Sequence, residues 1–223
     1  MIDNPILRSI TKKGKKENTL RAEALEDFWT CLVSRQASLM ARKEVLTGKA
    51  KFGITGDGKE VPQVALARAF KKGDWRSGYY RDQTFMFALR LSTVEEFFAQ
   101  LYADPDNDPF SGGRQMNSHY ATNLFDENGE WLDHKDLYNV SSDISSTAGQ
   151  MARGLGLALA SQKYRESKVL KDTQFSNKGN EISWVTIGDS STSEGIFWET
   201  INAAGVQNVP LAVCVWDDGY GIS

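Results

Sequence analysis

Apolar residues in the first half of the chain recur at three, four and seven positions, which is the spacing of an amphipathic helix. The longest such stretch predicts a helix from Thr19 to about Thr47, with Gly48 just past its end. Shorter helices are predicted over residues 62–71, 83–91 and 93–102. A glycine-rich loop, Phe52–Gly58, joins the first two helices. Residues 103–142 are polar and predict a long irregular segment, which in a folded domain is more often functional than idle.

The last third of the chain predicts alternating helices and strands. Small residues over 146–165 predict a closely packed helix. Residues 182–187 are rich in β-branched side chains and predict a strand, and the apolar run 211–215 predicts a second strand that is buried on both faces. Between them, Ser191 and Glu194 have capping-box spacing, which predicts that a helix starts there. Strand, helix and strand form a right-handed βαβ unit, so the predicted class is α/β with a parallel sheet.

Charge and composition divide the chain and exclude several classes of protein. Residues 1–18 hold five Lys or Arg and few apolar residues, so we expect a flexible arm followed by one α/β domain over 19–223. The chain has 26 Lys and Arg against 29 Asp and Glu, a net charge of −3, whereas nucleic-acid binders are usually strongly basic. No apolar run approaches the roughly 20 residues of a membrane span, and the N-terminus has no signal-peptide pattern. We therefore expect a cytoplasmic protein with no nucleic-acid or membrane partner.

Carboxylates follow both predicted strands. Gly188-Asp189 follows the first strand and Asp217-Asp218 the second. Neighbouring parallel strands end about 5 Å apart at one edge of a sheet, so Asp189 and Asp218 are expected within reach of one divalent cation. The helix predicted near Ser191 offers free amides there, and a cation beside a helix N-terminus suits a diphosphate. The simpler alternative is that both segments are ordinary turns, because Asp-Gly pairs are common turn formers.

The spacing of these two segments resembles a cofactor fingerprint. Gly188-Asp189-Ser190, 26 further residues and Asp217-Asp218 are similar to the thiamine-diphosphate pattern of Gly-Asp-Gly, two dozen or more residues and Asn-Asn. Other segments resemble, in the same order, the alpha chain of the decarboxylating component of 2-oxoacid dehydrogenase complexes: Tyr79-Tyr80-Arg81, Gly113–Met116 with His119-Tyr120, and Trp216–Ser223. The Gly113–Met116 segment is closer to the branched-chain (2-oxoisovalerate) type than to the pyruvate type. The resemblance covers about residues 25–223.

This resemblance implies a thiamine-diphosphate-binding fold, a parallel sheet with helices on both faces. It implies oxidative decarboxylation of a 2-oxoacid with thiamine diphosphate and Mg²⁺, followed by acyl transfer to a lipoyl group. The implied partners are a beta chain, or the chain's own C-terminal half, and a lipoyl-bearing acyltransferase component, in a dimer or heterotetramer. In this family the carboxylate that activates the cofactor comes from the beta half. No catalytic acid is therefore expected in this chain.

The resemblance also implies specific site residues. Mg²⁺ would be held by the side chains of Asp189 and Asp218 and by the backbone carbonyl of Tyr220. The other implied cofactor-binding residues are Gly188, Ser190 and Ser191 at the diphosphate, Tyr80 and Arg81, whose guanidinium can bind phosphate, and Ser145 and Thr147 in the loop that supports the aminopyrimidine. Shifting that loop upstream selects Ser142 and Ile144 instead.

The sequence departs from the family pattern at three places. Ser190 stands in place of the third fingerprint residue, Gly, and Asp217-Asp218 in place of Asn-Asn. Trp216 stands where the branched-chain pattern often has Arg, which removes one phosphate partner. The sequence stops at Ser223, directly after the fingerprint, so we expect an N-terminal portion of the family's alpha chain.

Two other functions are considered. In a Gly-Asp-Ser hydrolase, Ser190 would be the nucleophile, but that chemistry needs a base, and no histidine follows Ser190. A non-catalytic assembly module would need no metal. The weaker patterns are interpreted structurally: Gly154-Leu-Gly156 as helix packing, His119 as a loop anchor, and Cys31 and Cys214 as packed apolar residues.

Overall fold

A four-stranded parallel sheet, in the order β2-β1-β3-β4, forms the centre of the computed structural model. The structure describes residues 17–170 and 173–221; the arm predicted over 1–18 lies almost wholly outside them. The helices are α1 (Glu17–Leu46), α2 (Glu60–Ala69), α3 (Gln83–Ala88), α4 (Val94–Leu101), α5 (Gln150–Glu166) and α6 (Gly195–Gln207). The strands are β1 (Trp75–Ser77), β2 (Asn139–Ser141), β3 (Ser183–Gly188) and β4 (Leu211–Trp216).

Helices cover both faces of the sheet, as the resemblance implies. Alternate residues of β3 point to opposite sides because side chains in a strand alternate. Val185 and Ile187 pack with Met151 of α5 and Phe197 of α6. On the other face, Trp184 packs against a cluster of side chains from α2 and α3. The α/β class predicted from the βαβ pattern is therefore confirmed.

The helices of the first half follow the predicted pattern closely. The first helix ends at Leu46, and Gly48 has φ 76°. Both shorter helices around residues 83–101 are present, and the second has a capping box between Thr93 and Glu96. No helix of the described residues is long and apolar enough to cross a membrane.

Two strands were not predicted. β1 and β2 have three residues each, too few to establish an alternating pattern. β2 lies inside the segment 103–142, which was predicted to be irregular and also contains a 3₁₀ turn at His134–Asp136. β1 pairs in parallel with β2 on one side and with β3 on the other, and Trp75 of β1 is in register with Asn139 and Ser183.

The prediction that a helix starts at Ser191 through a capping box is wrong. Ser190–Ser193 form a 3₁₀ turn, and α6 begins at Gly195 with Glu194 as its N-cap. The reason is local: the amide and hydroxyl of Thr192 both donate to the carbonyl of Asp189, at 2.9 and 2.6 Å, which closes the tighter turn first.

The prediction that the last strand is buried on both faces is also wrong. β4 pairs only with β3 among the described strands, so it forms an edge of the sheet. Its first four residues are half-buried and Val215 is 40% exposed. An apolar edge strand of this kind is usually covered by a further strand, helix or subunit.

Candidate functional site at the carboxyl edge of the sheet

The carboxyl ends of β3 and β4 meet as the sequence predicts. Gly188 is in register with Trp216, and the amide of Asp189 donates to the carbonyl of Trp216 at 3.3 Å. Asp189 is half-buried, and no hydrogen bond to its carboxylate comes from the described residues. A carboxylate held at a sheet edge without a protein partner is suited to bind a cation.

The segment after β4 forms two short turns. The amide of Gly219 donates to the Asp217 carboxylate at 2.9 Å, and the amide of Tyr220 donates to that of Asp218 at 3.4 Å. Gly219 has φ 65°, a conformation that glycine adopts without strain. The Tyr220 side chain is 73% exposed. Asp218 and Tyr220 therefore follow the end of β4 at the edge where Asp189 follows the end of β3.

Lys59 brings a positive charge to Asp218 from a distant part of the chain. Its ammonium lies 2.5 Å from Oδ2 of Asp218, although 159 positions separate the two residues. Lys59 is only 6% exposed. The hydrogen bond from Lys59, and more weakly the charge of Arg81, lower the pKa of the Asp218 carboxyl. Both basic side chains thus face the edge where the predicted metal ligands lie.

Gly188 leaves space beside a buried hydroxyl. A Cβ on Gly188 would lie 3.4 Å from the Tyr79 hydroxyl. That hydroxyl is buried and has no hydrogen-bond partner among the described residues. Burial raises the pKa of Tyr79, and the nearby Arg81 guanidinium opposes part of that rise. An unpartnered buried hydroxyl at the strand end fits a polar ligand lying across Gly188.

His119 connects two predicted parts of the site. Its Nε2 lies 2.7 Å from the Ser145 hydroxyl and its Nδ1 lies 3.1 Å from the carbonyl of Asn117. The His119 ring stacks on the Tyr80 ring, with 6.0 Å between the ring centroids. The Arg81 guanidinium also lies over the Tyr80 ring, 5.4 Å from its centroid. Burial lowers the pKa of His119. These contacts match the loop-anchoring interpretation of His119 and bring Tyr80, Arg81 and Ser145 together.

The group formed by Tyr80, Arg81, His119 and Ser145 does not include Thr147. Thr147 is exposed, and within the described part of the chain it makes no hydrogen bond to the other predicted site residues. Ser142, the alternative position, is exposed as well.

A buried cluster of charged side chains lies next to the carboxyl edge of the sheet. Arg76 contacts both Asp82 and Asp143, and all three side chains are fully buried. Nε of Arg76 donates to Asp82 at 2.9 Å, and the Trp216 indole donates to the same carboxylate at 2.8 Å. The Thr186 hydroxyl also donates to Asp82. The buried Trp216 side chain therefore links β4 to the Asp82 carboxylate by a hydrogen bond and does not face the carboxyl edge of the sheet.

The structure gives no support to a hydrolase centred on Ser190. Its two histidines are engaged elsewhere: His119 with Ser145, and His134 with Asn139 at 2.8 Å and the carbonyl of Leu124 at 3.2 Å. Ser190 itself is exposed at the start of the 3₁₀ turn.

Comparison with known proteins shows the family of this chain. Residues 30–223 match the dehydrogenase E1 component family, which is most of the chain. The chain belongs to this family.

Two similar proteins of the family are 2-oxoisovalerate dehydrogenase alpha subunits. That of Bacillus subtilis (strain 168) is 26% identical over 202 residues, covering 90% of this chain and 53% of that protein. The mitochondrial subunit alpha 1 of Arabidopsis thaliana is 28% identical over 176 residues, covering 79% of this chain and 31% of that protein. The pyruvate dehydrogenase E1 component subunit alpha of Acholeplasma laidlawii is 25% identical over 210 residues, covering 94% and 50%. The chain thus spans about half the length of the two bacterial relatives.

The E1 match confirms the resemblance, and the geometry adds residues that the motifs did not reveal. Lys59 follows the glycine-rich loop, but its sequence context is that of an ordinary surface lysine. Tyr79 and Trp216 were recognised only as parts of motifs. Their contacts with Gly188 and Asp82 depend on strand order, which no short motif encodes.

A magnesium ion at this edge of the E1 chain would have few protein ligands. Within residues 17–170 and 173–221, no three His, Cys, Asp or Glu side chains come together as a metal cluster. Mg²⁺ commonly uses one or two carboxylates and takes its other ligands from phosphate oxygens and water. Asp189, Asp218 and a backbone carbonyl therefore fit a metal that is bound together with a diphosphate.

Proposed function

We propose that this chain is the cofactor-binding alpha part of a 2-oxoacid dehydrogenase that uses thiamine diphosphate and Mg²⁺. The observation that carries the proposal is that Asp189 and Asp218 follow the carboxyl ends of the paired parallel strands β3 and β4, beside the buried hydroxyl of Tyr79, which has no hydrogen-bond partner among the described residues. Ligands of open parallel sheets bind at this edge. The family match and the names of the relatives support the reaction class.

The residues divide the binding work. Asp189 and Asp218 would hold Mg²⁺ through carboxylate oxygens, and Tyr220 through its backbone carbonyl. Gly188, Ser190 and Ser191 would offer backbone amides or hydroxyls to the diphosphate. Arg81 would bind phosphate oxygens through its guanidinium, which forms strong charge-assisted hydrogen bonds. These roles are supported by position, since six of these residues lie at or just after the ends of β3 and β4, and the seventh, Arg81, carries its charge near Asp218.

The other end of the cofactor would lie against the loop after β2. Ser145 is fixed there by His119, which in turn stacks on Tyr80. This arrangement favours Ser145 over Ser142 as the residue that supports the aminopyrimidine, and we propose Thr147 as its neighbour in the same loop.

When bound, thiamine diphosphate supplies the electron sink that decarboxylation of a 2-oxoacid requires. The chain's own residues bind and orient the cofactor. We assign no proton-transfer step to them, because the activating carboxylate is expected from the beta half. Transfer of the acyl group to a lipoyl arm is proposed as the next step of the complex.

We propose branched-chain 2-oxoacids as substrates. Support comes from the Gly113–Met116 segment and from the names of the Bacillus and Arabidopsis relatives. The Acholeplasma relative, a pyruvate dehydrogenase subunit, makes pyruvate the direct competitor.

A partner subunit is part of the proposal. An apolar groove of about 670 Å³ lies between α1 and α4, lined by Trp29, Leu32, Val33, Ala37, Met40 and Phe98. Exposed apolar surface of this kind, together with the edge strand β4, is typical of surfaces that are covered in an assembly. We propose a beta chain or beta half, and a lipoyl-bearing acyltransferase, as partners.

The test is an activity assay of the complete protein with its beta half. Reduction of an artificial electron acceptor is followed with 2-oxoisovalerate, pyruvate and 2-oxoglutarate, each with and without thiamine diphosphate and Mg²⁺. We expect turnover only when both are present, with the highest kcat/KM for 2-oxoisovalerate. Turnover that is independent of thiamine diphosphate would contradict the reaction class, and a higher kcat/KM for pyruvate would contradict the substrate.

A further inference from the structure

The glycine-rich loop Phe52–Gly58 has no role in the proposed function so far, yet it is held firmly against the site. The amide of Gly56 donates to the Gln83 side chain at 3.1 Å. A Cβ on Gly56 would lie 2.2 Å from the carbonyl of Arg81, so the loop backbone passes directly over the Tyr80-Arg81 segment. Only glycine permits this approach.

Ion pairs on both sides fix the end of this loop. The Glu60 carboxylate accepts hydrogen bonds from the amide of Gly58 at 3.0 Å and from Nε and Nη2 of Arg35 at 2.6 and 2.8 Å. Asp57 accepts from Arg42 at 2.6 Å and from the Thr55 hydroxyl at 2.7 Å.

Lys59 lies between these anchored residues, and its ammonium is directed to Asp218. The aliphatic part of the Lys59 side chain is buried, so its ammonium is held at the site and has little freedom to move in solvent. Asp218 is more open, with 44% of its side chain exposed. The loop therefore delivers a fixed positive charge to the second predicted metal ligand.

The charges at this edge need such a cation. A Mg²⁺ ion held by one carboxylate retains one positive charge toward a diphosphate, whereas a second carboxylate cancels it. The family fingerprint has the neutral Asn at the position of Asp218, so this chain carries the additional negative charge. One ammonium beside Asp218 restores the net positive charge.

We propose that Lys59 is a further cofactor-site residue, which compensates the negative charge of Asp218 and so maintains the attraction for the diphosphate. This inference rests on the proposed function. It assigns the glycine-rich loop the role of positioning Lys59, and it explains how the site accommodates Asp in place of Asn.

The test is a double-mutant cycle on the complete protein with its beta half. Thiamine diphosphate is titrated calorimetrically, at saturating Mg²⁺, into the parent, Lys59→Met, Asp218→Asn and the double variant. Lys59→Met should weaken binding on the order of tenfold. In the Asp218→Asn background the same change should weaken it by about twofold or less, because the Lys59 ammonium has then lost the carboxylate that holds it at the site.

Two further variants control for charge and folding. Lys59→Arg keeps the positive charge and should bind within about threefold of the parent. Lys49→Met removes an exposed lysine just before the loop and should bind like the parent. If Lys59→Met lowers the unfolding midpoint too far for titration, Lys59→Gln in both backgrounds provides the same comparison.

The outcomes separate the two proposals. If Lys59→Met weakens cofactor binding equally in both backgrounds, or no more than Lys49→Met does, the proposed role of Lys59 is wrong and the proposed function still stands. Absence of cofactor binding in the parent at every Mg²⁺ concentration overturns the proposed function and this inference with it.

Discussion

Arg76 lies fully buried between two carboxylates, Asp82 and Asp143, so one positive charge faces two negative ones. Asp82 has the stronger set of partners, since Arg76, Thr186 and Trp216 all donate to it. Asp143 receives a 3.2 Å bond from Arg76 and a 3.1 Å bond from the amide of Tyr120. Burial, partly opposed by Arg76 and reinforced by Asp82, raises the pKa of Asp143 to about 7.

This arrangement predicts a pH dependence of stability. An unfolded Asp loses its proton near pH 4, whereas folded Asp143 keeps it to about pH 7, so the native state binds more protons between these values. The free energy of unfolding contributed by Asp143 therefore falls as the pH rises from about 4 to about 7. Relative to Asp143→Asn, the parent should lose about 1.6 kcal/mol between pH 5.5 and 7, because Asp143 is already half-ionised at pH 7.

Urea unfolding of both proteins at several pH values measures that difference. His119, whose pKa is lowered by burial, makes stability rise through the same range, but it is present in both proteins and cancels in the comparison. Parallel curves for the parent and Asp143→Asn would show that Asp143 is ionised throughout.

Site residues were predictable where the chemistry is local in sequence. Asp189 and Asp218 lie within two residues of a strand end, and Tyr220 lies four residues after one, in a recognisable pattern. Lys59 could not be predicted as a site residue, because its contact with Asp218 depends on the path of a loop that lies 159 positions earlier in the chain. The Ser145–His119 contact likewise joins two irregular segments, where no periodicity indicates which side chains meet.

The packing of helix α5 on the sheet depends on Gly154 and not on its neighbour Gly156. A Cβ on Gly154 would lie 2.1 Å from a methyl group of Val185 in β3, whereas a Cβ on Gly156 would meet nothing within 4 Å. The interpretation of Gly154-Leu-Gly156 as helix packing therefore holds for Gly154 and not for Gly156.

The two glycines form a matched pair of variants. Gly154→Ala should lower the free energy of unfolding by about 1–3 kcal/mol, because the helix or Val185 must move. Gly156→Ala should raise it by about 0.5–1 kcal/mol through helix propensity alone. Chemical denaturation of both variants tests this, and equal effects of the two would contradict the assigned contact.

Long elements with strong periodicity were predicted well, and short ones were not. The end of helix α1 was predicted to within one residue. The three-residue strands β1 and β2 have no periodicity to detect; β1 forms a strand because β3 supplies a pairing edge, and β2 because β1 does. The start of α6 was misplaced because the bonds of Thr192 to Asp189 compete with the predicted cap.

At the scale of the whole molecule, strand order decides what the site can do. β1 and β3 lie at the centre, so the ends of β1, β3 and β4 place Arg81, Asp189 and Asp218 along one edge. The class and the βαβ unit could be predicted from sequence, but the order β2-β1-β3-β4 could not, because two of the strands were too short to recognise. The burial of β4 was mispredicted for a related reason: apolar composition does not reveal which neighbour covers a strand.

We propose that this edge binds thiamine diphosphate through a metal held by Asp189. The most direct test is calorimetric titration of thiamine diphosphate, at saturating Mg²⁺, into the complete protein, Asp189→Ala and the adjacent control Ser190→Ala. We predict that Asp189→Ala abolishes measurable binding, because the metal loses a charged ligand, and that Ser190→Ala binds within about threefold of the parent. Binding by Asp189→Ala with the parent's affinity would contradict the claim.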